Sequence, residues 1–360
     1  MKKLATVFFT LIFGISTIAG CSAPPSSTSS TTEAVSTTAE AGTGGGNTKT
    51  PENLKVAMML PGPVNDASFN QSSYTGLAEA EKEYSVETAY SENVGTADMV
   101  SVMKNYCDMG YKLLILVGFD FADALAEVAP QYPNVKFAII NGEGKGDNVS
   151  GYRFNTPETG FIAGVMSALL SNNGKVGYIA GQQFTHIEDA VNGFAAGAMY
   201  ADPELTKDDV FYAYLDSWTD TVKGKETALS FIEKGADCIV TNANAVGLGV
   251  IQTCNENDAL AVGYITDQYE VAPGTVPCSV IQDGGAVSKM IIKSVLDGTI
   301  KSGLNLLGAA DGVIRYSDWH ELGEQEVPQE TKDKMEEIYA KIVDGSLLQS
   351  GILPKSAYDK

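Results

Sequence analysis

The chain has 360 residues, of which 44% are hydrophobic and 19% are charged, and its formal net charge at pH 7 is −21. Nucleic acids bind through clustered lysine and arginine side chains, so this acidic composition argues against a nucleic acid partner and against docking on anionic lipid headgroups. The chain is longer than one hydrophobic core usually supports, which predicts a folded part with two lobes.

The first twenty residues have the order of an export signal. Lys2 and Lys3 precede an apolar run over residues 4–18, and small residues stand directly before Cys21. The run is shorter than the roughly 20 apolar residues that a spanning helix needs, so residues 1–20 are predicted to be a signal peptide. The Ala-Gly-Cys order resembles the lipobox of bacterial lipoproteins, in which the new N-terminal cysteine is acylated. An ordinary signal peptide followed by a chance cysteine stays the alternative.

Small and polar residues dominate the segment that follows this cysteine. Residues 22–51 are mostly Ser, Thr, Ala, Gly and Pro, and they lack the apolar content that a core requires. About thirty residues of such a chain have a root-mean-square reach of roughly 30 Å. Residues 21–53 are therefore predicted to be a disordered tether that holds a folded domain clear of a membrane surface.

Apolar stretches and helical patterns alternate from Leu54 onward. The predicted strands are 55–60, 112–117, 135–140, 175–180, 210–215, 238–241 and 259–264, and the main predicted helices are 122–128, 160–170, 189–199, 224–234 and 286–295. Near-continuous apolar strands between amphipathic helices indicate parallel sheets that are covered on both faces. The predicted fold class is therefore α/β, with doubly wound sheets.

Polar and aromatic residues follow four of the predicted strands, at 65–70, 118–123, 242–244 and 266–268. In doubly wound sheets a ligand binds beyond the carboxyl ends of the strands, where loops lead into helices. Carboxylates accept hydrogen bonds from hydroxyl groups, amides both donate and accept, and aromatic rings stack on planar faces. We therefore expect a cleft suited to a neutral polyhydroxylated or heteroaromatic molecule.

Eight short motifs, in the same order along the chain, resemble those of the basic membrane protein family, the purine nucleoside receptor lipoproteins of bacterial ABC importers. The motifs are DASFN at 66–70 with YTGL at 74–77, GF at 118–119 with DA at 123–124, YPNVKFA at 132–138, ETGFIAG at 158–164, GFAAG at 193–197, SWTD at 217–220 with GKE at 224–226, GLGV at 247–250, and GY at 263–264 with DQ at 267–268. Each motif alone is weak. Together they extend the resemblance over essentially the whole chain from Leu54 onward.

The resemblance implies the type I periplasmic binding protein fold, in which a hinge of crossing segments joins two Rossmann-like lobes around a ligand cleft. The N-terminal lobe is expected to comprise residues 54–154 plus 278–308, and the C-terminal lobe residues 155–277 plus 309–360. The implied function is that of a monomeric solute-binding lipoprotein, anchored at the extracytoplasmic face of the cell membrane. It would bind a nucleoside of purine type and pass it to an ABC permease and its ATPase, with no cofactor and no metal.

The resemblance also assigns roles to individual residues. Phe69 would stack on the nucleobase, and Asp66 and Asn70 would line the same wall of the cleft. Asp123 would face the polar edge of the base. Asp267 would accept hydrogen bonds from the ribose hydroxyls, because a carboxylate suits a vicinal diol.

Two positions depart from the family pattern. Gln282 stands where many members have a lysine that reaches the ligand, and Ala190 stands where many have a second stacking aromatic residue. Phe184 and Trp218 are the candidates to replace that ring. The predicted ligand-binding set is completed by Asn244 and by Gln282, which is kept in the set although it is not a lysine. These departures leave the exact ligand open, with a sugar-binding or sensory receptor of the same fold as the alternative.

Each candidate also has a structural interpretation. Phe69 could be a core residue beneath the first helix. Asp66 and Asp123 could cap helices through first-turn N–H groups, and Asp267 could belong to a structural turn. Asp220 is predicted to cap the helix that follows it.

An enzyme is the competing class of function. The sequence has no G-x-S-x-G elbow, no phosphate-binding P-loop and no H-E-x-x-H motif. Its two histidines, His186 and His320, are too far apart in sequence to suggest a metal pair. The cysteines beyond Cys21 lack C-x-x-C spacing; Cys107 and Cys238 are interpreted as buried apolar residues, and disulfides involving these two, Cys254 or Cys278 are left open.

Overall fold

The computed structural model describes residues 54–66 and 68–359. The predicted signal peptide (1–20), the predicted lipidation site Cys21 and the predicted tether (21–53) lie outside the described residues. Within the described part, the strands form two six-stranded sheets. No helix in that part is long and apolar enough to cross a membrane.

The first sheet is entirely parallel. Its strands are β1 (Lys55–Met59), β2 (Glu87–Ser91), β3 (Leu113–Val117), β4 (Lys136–Ile140), β5 (Val149–Phe154) and β11 (Gly303–Leu307). Their spatial order is β11-β5-β4-β3-β1-β2, so the first strand of the chain lies inside the sheet. This order requires crossover connections, which the helices supply.

The second sheet repeats this plan with one antiparallel strand. Its strands are β6 (Val176–Ala180), β7 (Val210–Tyr214), β8 (Cys238–Asn242), β9 (Leu260–Ile265), β10 (Ser279–Gln282) and β12 (Ile314–Tyr316). The spatial order is β12-β10-β9-β8-β6-β7, and β12 runs antiparallel to β10 at the edge.

Eleven α-helices connect or flank the strands in the described part of the chain. They are α1 (Phe69–Tyr84), α2 (Met99–Asp108), α3 (Ala122–Val128), α4 (Thr156–Leu170), α5 (Thr185–Ala201), α6 (Thr221–Glu233), α7 (Asn244–Glu256), α8 (Gly284–Leu296), α9 (Glu321–Glu326), α10 (Gln329–Val343) and α11 (Ser346–Gln349). Asp220 accepts hydrogen bonds from the backbone N–H groups of Val222 and Lys223, so its predicted role as the cap of α6 is confirmed.

Apolar side chains cover both faces of the first sheet. Along β1, Val56 and Met58 pack into one hydrophobic cluster, while Ala57 and Met59 pack into another. Successive side chains of a strand point to opposite faces, so each face of this sheet is covered by its own cluster. The predicted α/β class with doubly wound sheets is confirmed.

The chain crosses between the sheets later than the sequence predicted. The predicted boundary assigned residues 278–308 to the first lobe, but Ser279 pairs with Gly263 and Val280 with Tyr316 in the second sheet. The crossing therefore follows Gln282, and α8 then packs against α1. The boundary at 278 was wrong because an apolar four-residue strand pairs equally well in either sheet, and the sequence alone does not reveal its neighbours.

The four cysteines of the described part are free and buried: Cys107, Cys238, Cys254 and Cys278. Burial of Cys107 and Cys238 was predicted and is confirmed. Burial raises the pKa of the Cys107 thiol to about 11 and that of the Cys254 thiol to about 12. Protonated, inaccessible thiols are poor nucleophiles, so these side chains serve as small apolar residues.

Candidate functional site

A cleft of about 460 Å³ lies where loops from both sheets meet. The first sheet contributes the segment after β1, the turn after β3 and Asn141 after β4. The second sheet contributes the segments that follow β6, β7 and β8, together with Ile265 and Gln282 at the ends of β9 and β10. All of these positions are at the carboxyl ends of strands, where doubly wound sheets bind their ligands.

Six of the residues predicted from the sequence line this cleft. They are Asp66, Phe69, Asn70, Trp218, Asn244 and Gln282. The first three come from the loop after β1 and the start of α1, and the others come from the ends of β7, β8 and β10. The cleft therefore brings together side chains that are up to about two hundred residues apart in the sequence, as expected for a site between parallel sheets.

Three other predicted residues do not line the cleft. Asp123 is exposed in the first turn of α3 and borders a separate depression with Lys145 and Arg153. Asp267 borders a different cavity, and Phe184 lies outside the cleft lining. The expected contacts of Asp123 with a base edge and of Asp267 with a sugar are therefore not supported by the geometry.

The local reason for the placement of Asp123 is a single turn of 3₁₀ helix over Phe119–Phe121. This turn directs Phe119 and Asp120 to the cleft and leaves Asp123 one turn further along α3. The sequence analysis placed the segment 118–123 at the cleft but singled out Asp123 rather than Asp120 as its ligand-binding residue. Its position directly after an apolar strand was the signal that could have identified Asp120.

Asp66 organises the loop that carries Phe69 and Asn70. Its carboxylate accepts hydrogen bonds from the backbone N–H groups of Ser68, Asn70 and Gln71 at 2.9–3.1 Å. It also accepts from Asn70 Nδ2 at 2.7 Å. The helix-capping interpretation of Asp66 is thus correct, and its oxygens are committed to the protein rather than free for a ligand.

One polar atom of the Asn70 side chain, Oδ1, has no hydrogen-bond partner among the described residues. Because Nδ2 is bound by Asp66, the Oδ1 atom is the free end of this amide, and it is buried with no hydrogen-bond partner among the described residues. Thr156 Oγ1, which also lines the cleft, is buried and unpartnered in the same way. Buried polar atoms are normally satisfied, so these two atoms mark places where a ligand or water completes the bonding.

Hydrogen bonds beneath the cleft join β9 and β10 of the second sheet to α4, and another joins β8 to β6. Asn242 Nδ2 donates to the hydroxyl of Tyr178 at 2.9 Å. The hydroxyl of Tyr264 and Nε2 of Gln282 both donate to Thr159 Oγ1, at 2.8 and 3.2 Å. Buried polar groups that are satisfied in this way hold one geometry, so Gln282 is positioned before any ligand arrives.

The loops of the two sheets touch each other across the cleft. Ser68 Oγ donates to Asn244 Oδ1 at 3.2 Å. The rings of Phe119 and Phe184 meet edge to face with their centroids 5.3 Å apart. Phe184 therefore contributes an aromatic contact at the rim, while Trp218 supplies the ring within the cleft.

The lining contains no lysine or arginine among the described residues, and its carboxylates are those of Asp66 and Asp120. Phosphate and carboxylate ligands are usually held by basic side chains. The composition of the lining therefore suits an uncharged molecule that has both an aromatic surface and hydrogen-bonding groups.

His186, which the sequence reasoning did not assign to the site, also lines the cleft. Burial lowers its pKa to about 4, and the nearby Arg153 charge acts in the same direction. In an unfolded chain a histidine titrates near pH 6.5, so between about pH 6.5 and 4 the unfolded state binds more protons than the folded state. The imidazole therefore contributes a neutral donor and acceptor to the cleft at neutral pH.

The free energy of unfolding is therefore expected to fall as the pH is lowered through this window. Replacing His186 with glutamine should reduce that dependence, because the substituted side chain does not titrate. Denaturant unfolding at pH 7 and pH 5 measures how much the free energy of unfolding changes with pH in the unaltered protein and in the H186Q variant. An identical loss of stability in the unaltered protein and the H186Q variant would show that His186 is not responsible.

Residues 53–345 match the family model Bmp, described as ABC transporter substrate-binding protein PnrA-like. The resemblance to the basic membrane protein family that the motifs indicated is confirmed by this match.

Two curated relatives and one solved structure are similar over most of the chain. The chain is 29% identical to a transcriptional activator protein med of Bacillus subtilis, over 76% of this chain and 85% of the relative. It is also 29% identical to a purine-binding protein of Brucella abortus, over 84% and 85%. The crystal structure of an ABC transporter solute-binding protein from Aeropyrum pernix shares the fold, with a TM-score of 0.71, 24% identity and coverage of 81% of this chain and 92% of that chain.

Proposed function

The chain belongs to the family of PnrA-like substrate-binding proteins of ABC transporters, and on that premise we propose that it captures a nucleoside of purine type in the cleft between its lobes. It delivers this ligand to an ABC permease, whose ATPase partner supplies the energy. The activity of the chain itself is binding, and no chemical step on the ligand is required.

The composition of the cleft is the observation that carries this proposal. Phe69 and Trp218 offer rings for a planar base, and Asn70 Oδ1 is a buried acceptor that requires an N–H or O–H donor. A purine presents such donors on its ring and exocyclic nitrogen atoms. The absence of basic residues from the described lining favours an uncharged nucleoside over a nucleotide. A purine-binding relative at 29% identity supports the same class of ligand.

The proposed mechanism is closure of the two lobes around the ligand. A ligand that touches both walls of the cleft stabilises the closed state by its higher affinity for that state. The Ser68–Asn244 hydrogen bond and the Phe119–Phe184 ring contact join the two walls at the rim. In this proposal the permease recognises the lobes when these contacts are made.

A thermal-shift screen of the chain from Leu54 to Lys360 tests the ligand class. Nucleosides, nucleobases, pentoses, hexoses and amino acids are compared, because a ligand that binds only the folded state raises the melting temperature. A response to purine nucleosides is expected. A response confined to pentoses or hexoses would instead favour a sugar receptor of the same fold.

A sensory receptor is the second candidate function, because a relative at 29% identity is named as a transcriptional activator. A direct role on DNA receives no support from the net charge of −21, since phosphate contacts require clustered basic residues. Genes for a permease and an ATPase beside the gene of this chain would favour import. A neighbouring gene for a membrane histidine kinase would favour sensing.

We further propose that the exported chain is a monomeric lipoprotein, held on the outer face of the cell membrane through Cys21. The order of the first 21 residues and the Ser/Thr-rich segment after them support this location. Replacing Cys21 with serine is expected to release the exported protein from the membrane fraction into the medium or periplasm. Fractionation followed by immunoblotting measures this, and equal membrane retention of the C21S variant would contradict the anchor.

A further inference from the structure

Ile265, at the end of β9, has an unusual backbone conformation. Its φ angle is +74°, in the left-handed region that β-branched residues avoid. Among the described residues, the other non-glycine positions with positive φ are serine, asparagine or aspartate. A strained conformation persists only where the surrounding structure enforces it, and such positions are concentrated at functional sites.

A hydrogen-bonded cluster around Asp267 enforces this conformation. Asp267 Oδ2 lies 2.6 Å from His320 Nε2, and Asp267 Oδ1 accepts from Ser279 Oγ at 3.2 Å. The ring of Tyr269 stacks on His320 with the centroids 4.1 Å apart. These contacts fix the chain immediately after Ile265.

The residue on the other side of Ile265 is held as well. The backbone N–H of Tyr264 donates to Gln268 Oε1 at 3.1 Å, and the N–H of Gln268 donates to Ser279 Oγ at 3.1 Å. Both flanks of Ile265 are thus joined to β10 through Ser279 and Gln268, which are buried. The turn has little freedom to rotate Ile265 out of its position.

Ile265 also stands between two cavities. It lines the ligand cleft and also a second cavity of about 820 Å³. Among the described residues, no other residue lines both. That second cavity carries charged groups, including Asp267, Lys289 and Arg315. This apolar residue therefore stands between the cleft, whose described lining has no lysine or arginine, and a neighbouring region that has both.

We propose that Ile265 is a specificity-determining residue of the cleft and that Asp267 is the residue that positions it. The part of the ligand that faces the end of β9 is then apolar and carries no hydroxyl group. A hydroxyl buried against this side chain would lose its water without gaining a partner, and that loss disfavours binding. This inference rests on the proposed function, because it names which purine compounds the cleft prefers.

Adenosine, 2′,3′-dideoxyadenosine and adenine test this role, since they share one base and differ in the sugar and its hydroxyl groups. Isothermal titration calorimetry is carried out on the unaltered protein, on I265N and on I265V. The unaltered protein is expected to bind dideoxyadenosine at least as tightly as adenosine. In the Ile265→Asn variant, the affinity for adenosine relative to that for dideoxyadenosine should rise about tenfold. One new hydrogen bond to a hydroxyl group has an effect of this size.

Asparagine is the informative replacement because it tolerates the left-handed region, so the Ile265→Asn variant should keep its fold. The Ile265→Val variant is the matched control: it stays apolar, and its affinity ratio should remain that of the unaltered protein. An unchanged ratio in the Ile265→Asn variant, or a clear preference of the unaltered protein for adenosine, would overturn the role of Ile265.

The positioning role of Asp267 is tested by selectivity rather than by affinity alone. Asp267→Asn should shift the same affinity ratio in the same direction as Ile265→Asn, and the double variant should show little further shift, because both changes act through one side chain. An equal loss of affinity for all three compounds would contradict positioning. If none of the three compounds binds any variant, the proposed purine ligand itself is wrong, whereas binding with unchanged ratios contradicts only this inference.

Discussion

Replacing Phe69 with alanine is expected to weaken binding of a purine nucleoside by about 1–3 kcal/mol, which is roughly a fivefold to 150-fold increase in Kd. The ring lines the cleft and is half-buried against the hydrophobic core. Removing it takes away a stacking surface, while Asp66 and Asn70 keep their bonds to the loop backbone. Isothermal titration calorimetry with the nucleoside that gives the largest thermal shift measures the change.

Tyr212→Ala is the matched control for this change. Tyr212 is 58% exposed and does not line the cleft, so its removal should leave Kd unchanged. Without ligand, the F69A variant should still unfold in one cooperative transition, at a melting temperature below that of the unaltered protein because the half-buried ring is lost. Equal affinity of the F69A variant and the unaltered protein would place the stacking surface elsewhere, with Trp218 as the next candidate.

Replacing Gly164 with valine is expected to destabilise the fold by about 3 kcal/mol, because the added side chain has no room. Helices α4 and α5 approach each other so closely that a Cβ atom at Gly164 would overlap the carbonyl oxygen of Phe194. A Cβ at Gly197, on the facing helix, would overlap the carbonyl oxygen of Phe161 in the same way. Relief requires the two helix backbones to separate, and α4 is buried along almost its whole length.

The melting temperature of the Gly164→Val variant should therefore fall by roughly 5 °C. Gly274→Val is the control, because no atom lies within 4 Å of the position that its Cβ would take. Differential scanning calorimetry measures both variants. A melting temperature of the Gly164→Val variant equal to that of the control would show that α4 and α5 can separate at little cost.

The periodicity of the apolar residues was sufficient to locate most of the strands that form the sheets. The segment predicted as 112–117 became β3 at Leu113–Val117, and the segment 238–241 became β8 at Cys238–Asn242. These strands are buried on both faces, and a continuous apolar run is the direct consequence of that burial. Central parallel strands are therefore readable from local sequence.

Elements with weaker periodicity were missed. Strand β2, at Glu87–Ser91, lies at an edge of its sheet and is partly exposed, so it lacks a continuous apolar run. Helix α7 contains Gly247 and Gly249, which lower its intrinsic helical propensity. Both glycines are needed for packing, since a Cβ at Gly247 would overlap Thr241 Oγ1 and one at Gly249 would overlap the carbonyl oxygen of Thr221.

The loop after β1 brings three predicted residues to the cleft. Asp66, Phe69 and Asn70 line it, and the Asp66 carboxylate accepts hydrogen bonds from the backbone of Ser68 and Asn70. Asp123 and Asp267 do not line the cleft, because the turns after β3 and β9 decide which side chains face it. At the end of β9, Ile265 lines both the cleft and the neighbouring cavity, whereas Asp267 lines only the second of these two.

The sequence by itself determined the α/β class, the two-lobed organisation and the family resemblance, because these depend on composition, periodicity and short motifs. Only the tertiary structure decided where the chain crosses between the sheets after Gln282, that the oxygens of Asp66 are used by its own loop, and that Ile265 rather than Asp267 lines the cleft. The physical reason is that strand neighbours and the directions of side chains in turns are set by hydrogen bonds between residues that are distant in sequence. The contact between Asp267 and His320 is an example. A local sequence pattern does not contain such contacts.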